Sequence, residues 1–386
     1  MSESGLRVAW LVLCDGTAFK GTAFGASTTT DGEVVFNTSM SGYPELLTDP
    51  SYRCQLLTLT VPEVGNYGVC DRDFESLGIQ AAGLVVRRLS PCVSNWRSDR
   101  TLSSCLADAN IPAIEGIDTR ALVRRLREGG TKTGLLSTDG TPVAELRARA
   151  AAAPGMAGRE LISEVSCRAP YQFTEGLLDD AGAPIPRQPQ KHHVVAFDFG
   201  MKKNMARMLV HRGCKVTVVP AATTAEQVRA LAPDGVLLSN GPGDPSTVPH
   251  VVDAVRALVG SVPVFGICMG HQILGQALGA STYKTAYGHR GGNQPVSTDV
   301  VAGVASRVLI TSQNHGFAVK PGALVAPARA NETNVSDGTN EGLELPIKWA
   351  FSVQYHPEAA PGPHDGEIHF DRFIKMMDDF KAQRQI

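Results

Sequence analysis

The sequence predicts an α/β protein in which a β-rich, mixed N-terminal domain precedes a doubly wound domain built on a mostly parallel sheet. Three observations carry this. Short β-like runs broken by turn dipeptides open the chain, apolar β-branched runs alternate with helical segments in the second half, and all ten His fall after residue 190. The 386 residues, 43% apolar and 19% charged, suffice for more than one buried core and exclude disorder over most of the length.

The first domain starts with LRVAWLVL, then Asp15-Gly16, TAFKGTAFGA, Asp31-Gly32 and EVVFNT, a pattern of strands joined at two turns. QLLTLT and GLVVRRL read as further strands. DTRALVRRLREGG reads as a helix with Asp118 as N-cap, Leu122 and Leu126 on one face, and a stop at Gly129-Gly130. The segment Tyr171 to Lys191 mixes acidic residues, Gly and three Pro with little periodicity, the composition of a linker. The expected organisation is therefore a domain over 1–170, a linker over 171–191 and a second domain over 192–386.

In the second domain VVAFDFG, CKVTVVP, GVLLSNG and SVPVFGIC alternate with the helical segments MKKNMARMLVHRG, TAEQVRALAP, VPHVVDAVRALVG and GHQILGQALGA. Parallel strands joined by right-handed crossovers follow, and in such a sheet the loops at the C-terminal strand ends build the site.

A formal charge of −2 leaves no electrostatic footprint for nucleic acid or an anionic membrane. The N-terminus has no basic, cleavable leader pattern, so a cytoplasmic protein is expected. None of the eight Cys forms a CxxC pair, and reduced thiols are the expectation. His271, His289 and His315 read as hydrogen-bonded structural residues, no metal ligand set is assigned, and neither a Walker-type nor another convincing nucleotide loop occurs.

The sharpest local signal is Gly266-Ile267-Cys268-Met269-Gly270, between an apolar strand and a helix. It has the form of a nucleophile elbow with Cys in place of Ser, and a helix N-terminus favours a thiolate. A thiol nucleophile needs a base and something to orient it. His356 and Glu358, two residues apart after the apolar run KWAFSVQ, supply both. The backbone N–H of Met269 and the loop Ser239 to Pro245 are candidate donors for a developing oxyanion.

GICMGHQ, SNGPGDP and YHPEA together resemble the class I (triad) glutamine amidotransferases. EVVFNTSMSGYPELLTDPSY, GIDTRALVRRLREGG, DFGMKKNM, YGHRGGNQPV and QNHGFAV extend the likeness to the small, glutamine-hydrolysing chain family of the carbamoyl phosphate synthetases, over nearly the whole chain. The resemblance implies a class I amidotransferase fold for the second domain. It implies Cys268 as nucleophile, His356 as general base and acid, Glu358 as its orienter, and the amides of Gly241 and Met269 as oxyanion donors. Ser51, Gly243, Gln272, Asn314, Gly316 and Phe317 are implied to hold the amino-acid end of L-glutamine, so that the first domain would close over the second.

The resemblance also implies a large synthetase chain as partner, in a heterodimer or higher assembly. That chain would use bicarbonate, ATP and magnesium, receive ammonia through a tunnel and feed pyrimidine and arginine biosynthesis; no cofactor is expected in this chain. Two positions depart from the family: Met269 follows the nucleophile where Leu is frequent, and Tyr355 precedes the base where Gly is frequent. Met269 is expected to be neutral and Tyr355 to alter access to His356. Two other readings stand beside this one, a glutaminase subunit of a different synthase, such as the anthranilate or GMP enzymes, and a noncatalytic scaffold. The 170-residue first domain opposes the former, and the intact Cys268, His356 and Glu358 oppose the latter.

Overall fold

The computed structural model describes residues 7–179, 181–299, 306–324 and 326–384. The chain divides into two compact units between Ala157 and Gly158.

In the first unit β1 (Val8–Leu13) and β2 (Ala18–Gly25) form the expected hairpin, with Leu13 N–H donating to Thr17 C=O at 2.8 Å across Asp15-Gly16. The second expected turn is absent. β3 (Thr29–Asn37) runs straight through Asp31 and Gly32, because Gly32 serves a close approach rather than a reversal: a Cβ there would sit 2.8 Å from the Cys54 carbonyl oxygen. The chain continues through α1 (Tyr43–Thr48), β4 (Gln55–Leu59), β5 (Gly83–Val85), α2 (Leu102–Asp108) and β6 (Pro112–Glu115). α3 (Thr119–Gly129), β7 (Lys132–Ser137) and α4 (Val143–Ala151) follow. α3 begins as expected, with the Asp118 carboxylate accepting from Ala121 N–H at 2.9 Å and Leu122 and Leu126 buried. The seven strands close into a barrel in the order β1-β2-β6-β5-β4-β3-β7, and β7 returns to pair with β1.

The second unit opens with α5 (Ile162–Val165) and β8 (Tyr171–Phe173). β8 pairs antiparallel with the strand at 214–220, so the start of the expected linker belongs to this unit's sheet. A three-residue strand at an edge carries too little periodicity to be seen in sequence. Next come β9 (His192–Asp198), α6 (Lys203–His211), β10 (Cys214–Pro220), α7 (Ala225–Ala230) and β11 (Gly235–Leu238). α8 (Pro249–Leu258), β12 (Val264–Ile267), α9 (Met269–Ala277), β13 (Ser281–Thr298) and β14 (Arg307–Lys320) follow. The unit ends with β15 (Arg329–Asn334), β16 (Asn340–Leu345), β17 (Ala350–Val353) and α10 (Ile368–Arg384).

The strand order is β14-β13-β15-β16-β17-β12-β11-β9-β10-β8. Its centre, β17-β12-β11-β9-β10, is parallel throughout, and β16, β15, β13 and β14 extend it antiparallel on one side. Alternation along the central strands separates two cores. Val195, Phe197, Val236, Leu238 and Val264 pack with α7, α8 and α9 on one face. Val194, Ala196, Leu237, Phe265 and Ile267 pack with α6 and α10 on the other. The parallel centre thus sends the ends of β9, β11, β12 and β17 to one rim.

Candidate active site

At that rim β12 ends in Cys268, which is the N-cap of α9 and has φ 54° and ψ −102°. A positive φ at a residue with a Cβ costs of order 1–3 kcal/mol and persists only where the surroundings fix it. They do so here through two hydrogen bonds: Cys268 N–H donates to Val353 C=O and Gly270 N–H to Ser239 C=O, each at 2.9 Å. α9 comes so close to β11 that a Cβ on Gly270 would lie 2.2 Å from the Leu238 carbonyl oxygen. The elbow is therefore held between the two strands that flank β12, with the Cys268 side chain buried.

β17 delivers His356 to the same rim. His356 N–H donates to Ser312 C=O at 2.8 Å, and its Nδ1 lies 2.8 Å from Glu358 Oε1. Both side chains are buried. His356 Nε2 has no hydrogen-bond partner among the described residues. Burial opposes a charge on this imidazole, but Glu358 and then Cys268 outweigh it and lift the His356 pKa to about 10, against the repulsion of Lys202. Burial likewise opposes the Glu358 carboxylate, and Lys202 and His356 together pull its pKa down to about 2. Glu358 is thus an anion between two cations.

Lys202 was given no role by sequence. Its ammonium donates to Glu358 Oε1 at 2.8 Å, and Asn204 Nδ2 donates to the Glu358 carbonyl oxygen. The Lys202 N–H donates to Asn240 Oδ1 at 3.0 Å, and Ser239 Oγ accepts from Phe199 N–H at 2.9 Å, so the loops after β9 and β11 are tied together. Its signal in the sequence is the segment DFGMKKNM, which carries part of the family likeness.

Gln272, one turn into α9, donates through Nε2 to Phe317 C=O at 2.9 Å and to Gln354 Oε1 at 3.1 Å. Asn314 lies next to the nucleophile, its carbonyl oxygen 3.7 Å from Cys268 Sγ. Gly316, between Asn314 and Phe317 on β14, accepts from Thr285 Oγ1 at 3.1 Å. Gly241 and Gly243 lie in the loop after β11, and the amides of Gly241 and Met269 donate to no protein group among the described residues. Cys268, His356, Glu358, Gln272, Asn314 and Phe317 thus converge, and Gly241, Gly243, Met269 and Gly316 belong to the segments that frame them. Ser51 lies in the first unit, in the turn Pro50–Tyr52, with its N–H donating to Asp49 Oδ1 at 2.9 Å.

The histidines read as structural are hydrogen-bonded. His271 Nδ1 faces Ser352 Oγ at 3.0 Å, and burial takes its pKa down to about 3. His289, His315 and Glu341 bring ligand-type atoms within 4.8 Å of one another. His289 is spanned by Asp337 at 2.9 Å and Glu341 at 3.5 Å, and His315 by Phe317 C=O and Gln313 Oε1, each at 2.8 Å, which makes the group an ion-pair and hydrogen-bond network. Tyr355 does not stand in the approach to His356. Its hydroxyl is committed to Glu332 and His369 on the opposite side of the strand.

A Cys elbow at the C-terminal rim of a parallel sheet, with a His–Glu pair brought beside it, defines a class I glutamine amidotransferase. Residues 195–376 match the family model described as glutamine amidotransferase class-I, and residues 11–136 match the carbamoyl-phosphate synthase small chain, CPSase domain. The chain is 49% identical to a carbamoyl phosphate synthase small chain of Syntrophotalea carbinolica over 96% of its length and 98% of that relative's. It is 48% identical to the small chain of an Escherichia coli strain, over 97% of this chain and 99% of the relative. It is also 48% identical to the chloroplastic small chain of Oryza sativa, over 97% and 84%. The chain belongs to the carbamoyl phosphate synthase small-chain family, whose amidotransferase domain makes it the glutamine-hydrolysing part of a two-chain enzyme. Among the described residues no helix is long and apolar enough to cross a membrane.

Proposed function

We propose that Cys268 hydrolyses L-glutamine through a γ-glutamyl thioester and that the ammonia passes to a large synthetase chain. The observation that carries this reading is the strained, buried Cys268 at the end of β12, electrostatically coupled to a His356 whose Nδ1 is held by Glu358.

The Cys268 thiolate attacks the carboxamide carbon, and the carbonyl π electrons move to oxygen, where the Gly241 and Met269 amides receive the oxyanion. His356 gives its Nε2 proton to the amide nitrogen, the C–N bond breaks, and ammonia leaves the thioester. His356 then takes a proton from water as the hydroxide adds to the thioester carbon. Collapse of that intermediate expels the thiolate and leaves glutamate. Gly243, Gln272, Asn314, Gly316 and Phe317 hold the amino-acid end of the substrate.

Ammonia becomes ammonium near neutral pH and loses its nucleophilic lone pair, which favours direct transfer to a second site. The partner is the large chain, in a heterodimer, with ATP, magnesium and bicarbonate consumed there and no cofactor held here. The complex works in the cytoplasm and supplies pyrimidine and arginine biosynthesis.

The test measures glutamate release by this chain with a cognate large chain and ATP, comparing wild type with Cys268→Ser. Loss of nearly all release in the variant, with ammonia still driving carbamoyl phosphate formation, supports the reading. Equal release by both proteins removes Cys268 as the nucleophile.

A further inference from the structure

β17 ends at Val353 and the chain bends at Gln354 and Tyr355, yet the alternation of side chains carries on past the strand, with Phe351, Val353 and Tyr355 in one core. Gln354 and His356 face the site, where Gln354 Oε1 accepts from Gln272 and His356 Nδ1 meets Glu358. Tyr355, between them, goes the other way and is fully buried in the core that contains α6 and α10. Its hydroxyl lies 2.8 Å from Glu332 Oε2 on β15 and also bonds to His369 Nε2 on α10. One side chain therefore joins three elements at the residue that precedes the base.

The proton arithmetic of this contact is closed. A phenol with one proton and two partners needs one of them to donate. Burial, reinforced by Glu332, pushes the Tyr355 pKa well above the usual phenol range, and burial with Arg372 and Arg307 takes His369 down to about 3, so the phenol keeps its proton and the imidazole is neutral. With Glu332 ionised, Tyr355 donates to it and His369 Nε2–H donates to Tyr355. With Glu332 protonated, its O–H donates to Tyr355, which donates to a bare His369 Nε2. Both states keep two hydrogen bonds. The adjoining backbone is fixed too, with Gln354 N–H donating to Glu341 C=O and His356 N–H to Ser312 C=O, each at 2.8 Å.

We propose that Tyr355 is a positioning residue for His356: its hydroxyl, held between Glu332 and His369, fixes the backbone from which the imidazole serves Cys268. The inference rests on His356 being the base. Tyr355 itself touches no reacting atom. A small displacement of a catalytic group costs rate far more than binding, which gives the anchor a kinetic signature.

The experiment uses the full chain in complex with the large chain. It measures kcat and KM for glutamine, and the pH profile of Cys268 alkylation by iodoacetamide after subtracting a Cys268→Ser blank. Tyr355→Phe keeps the ring and removes the anchor. Its kcat is expected to fall about 10-fold to 100-fold with KM within about twofold, and its alkylation profile to move toward that of His356→Asn. Glu332→Leu is expected to match it, whereas Glu332→Gln, which can still accept and donate, keeps the wild-type kcat. Wild-type kcat and alkylation profile in folded Tyr355→Phe and Glu332→Leu overturn the proposal, whatever their melting temperatures. An unchanged profile in His356→Asn removes the base assignment instead, and the proposal with it.

Discussion

The ammonium of Lys202 and Nδ1 of His356 share one oxygen, Glu358 Oε1, each at 2.8 Å. Here a second cation keeps the carboxylate ionised when the imidazole gives up its proton, so the His–Glu pair survives both halves of a reaction cycle.

Lys202→Met is therefore expected to slow glutamine hydrolysis by about 10-fold or more. Leaving one member of a buried ion pair unpaired costs about 3–5 kcal/mol, part of which appears as a lower melting temperature. Lys202 is the largest of the interactions that hold Glu358 below the usual carboxylate range, so without it the Glu358 pKa rises. The acid limb of the kcat profile moves to higher pH. A profile that keeps its wild-type acid limb would show that Lys202 does not set the charge of Glu358.

Gly270→Ala tests the elbow. Its Cβ would meet the Leu238 carbonyl oxygen at 2.2 Å, and backbone cannot yield as a flexible side chain does. A loss of about 1–3 kcal/mol in urea unfolding is expected, together with loss of glutamine hydrolysis as Cys268 shifts. Gly78→Ala, where a Cβ meets nothing within 4 Å, is the control and should change neither.

Gln272→Ala removes the amide that bridges Phe317 C=O and Gln354 Oε1. KM for glutamine is expected to rise about 10-fold, equivalent to about 1.4 kcal/mol, with a smaller change in kcat. Steady-state kinetics with varied glutamine decide this; a fall in kcat at constant KM contradicts the binding role.

Glu332 gives a pH signature. Burial raises its pKa from 4.5 to about 8, in spite of the Tyr355 hydrogen bond and Arg372. Between those values the folded state keeps a proton that the unfolded state has lost. The associated stability is present in full below pH 4.5 and disappears as pH rises through about 8. The decline is on the order of 4 kcal/mol, and Glu332→Gln should lack it. Urea midpoints of both proteins at about pH 5 and about pH 9 measure the difference; parallel declines would assign the pH dependence to other groups.

What the sequence made visible follows from range. Strands of the parallel centre, the Asp118 cap and the elbow around Cys268 are written in residues close together in the chain, and the structure has them in place. His356 and Glu358 were legible because they lie two residues apart. Lys202 was not, because its meaning lies in an oxygen 156 residues away. Asp31-Gly32 misled for the complementary reason: the dipeptide is a frequent turn, and only the neighbouring Cys54 carbonyl shows why a glycine sits in a strand. Tyr355 follows the same logic: its place beside His356 in the chain suggests the site, whereas its ring enters the core shared with α6 and α10 and its hydroxyl meets Glu332.

Closure of the seven-stranded barrel governs how the first unit can be recognised. Each strand in it has a neighbour on both sides for part of its length, with β2 meeting β1 over 18–22 and β6 over 22–25, so no strand is a free edge from end to end. A polypeptide that met this unit would find no full-length edge strand to extend, and side chains and loop tips would offer it more than backbone.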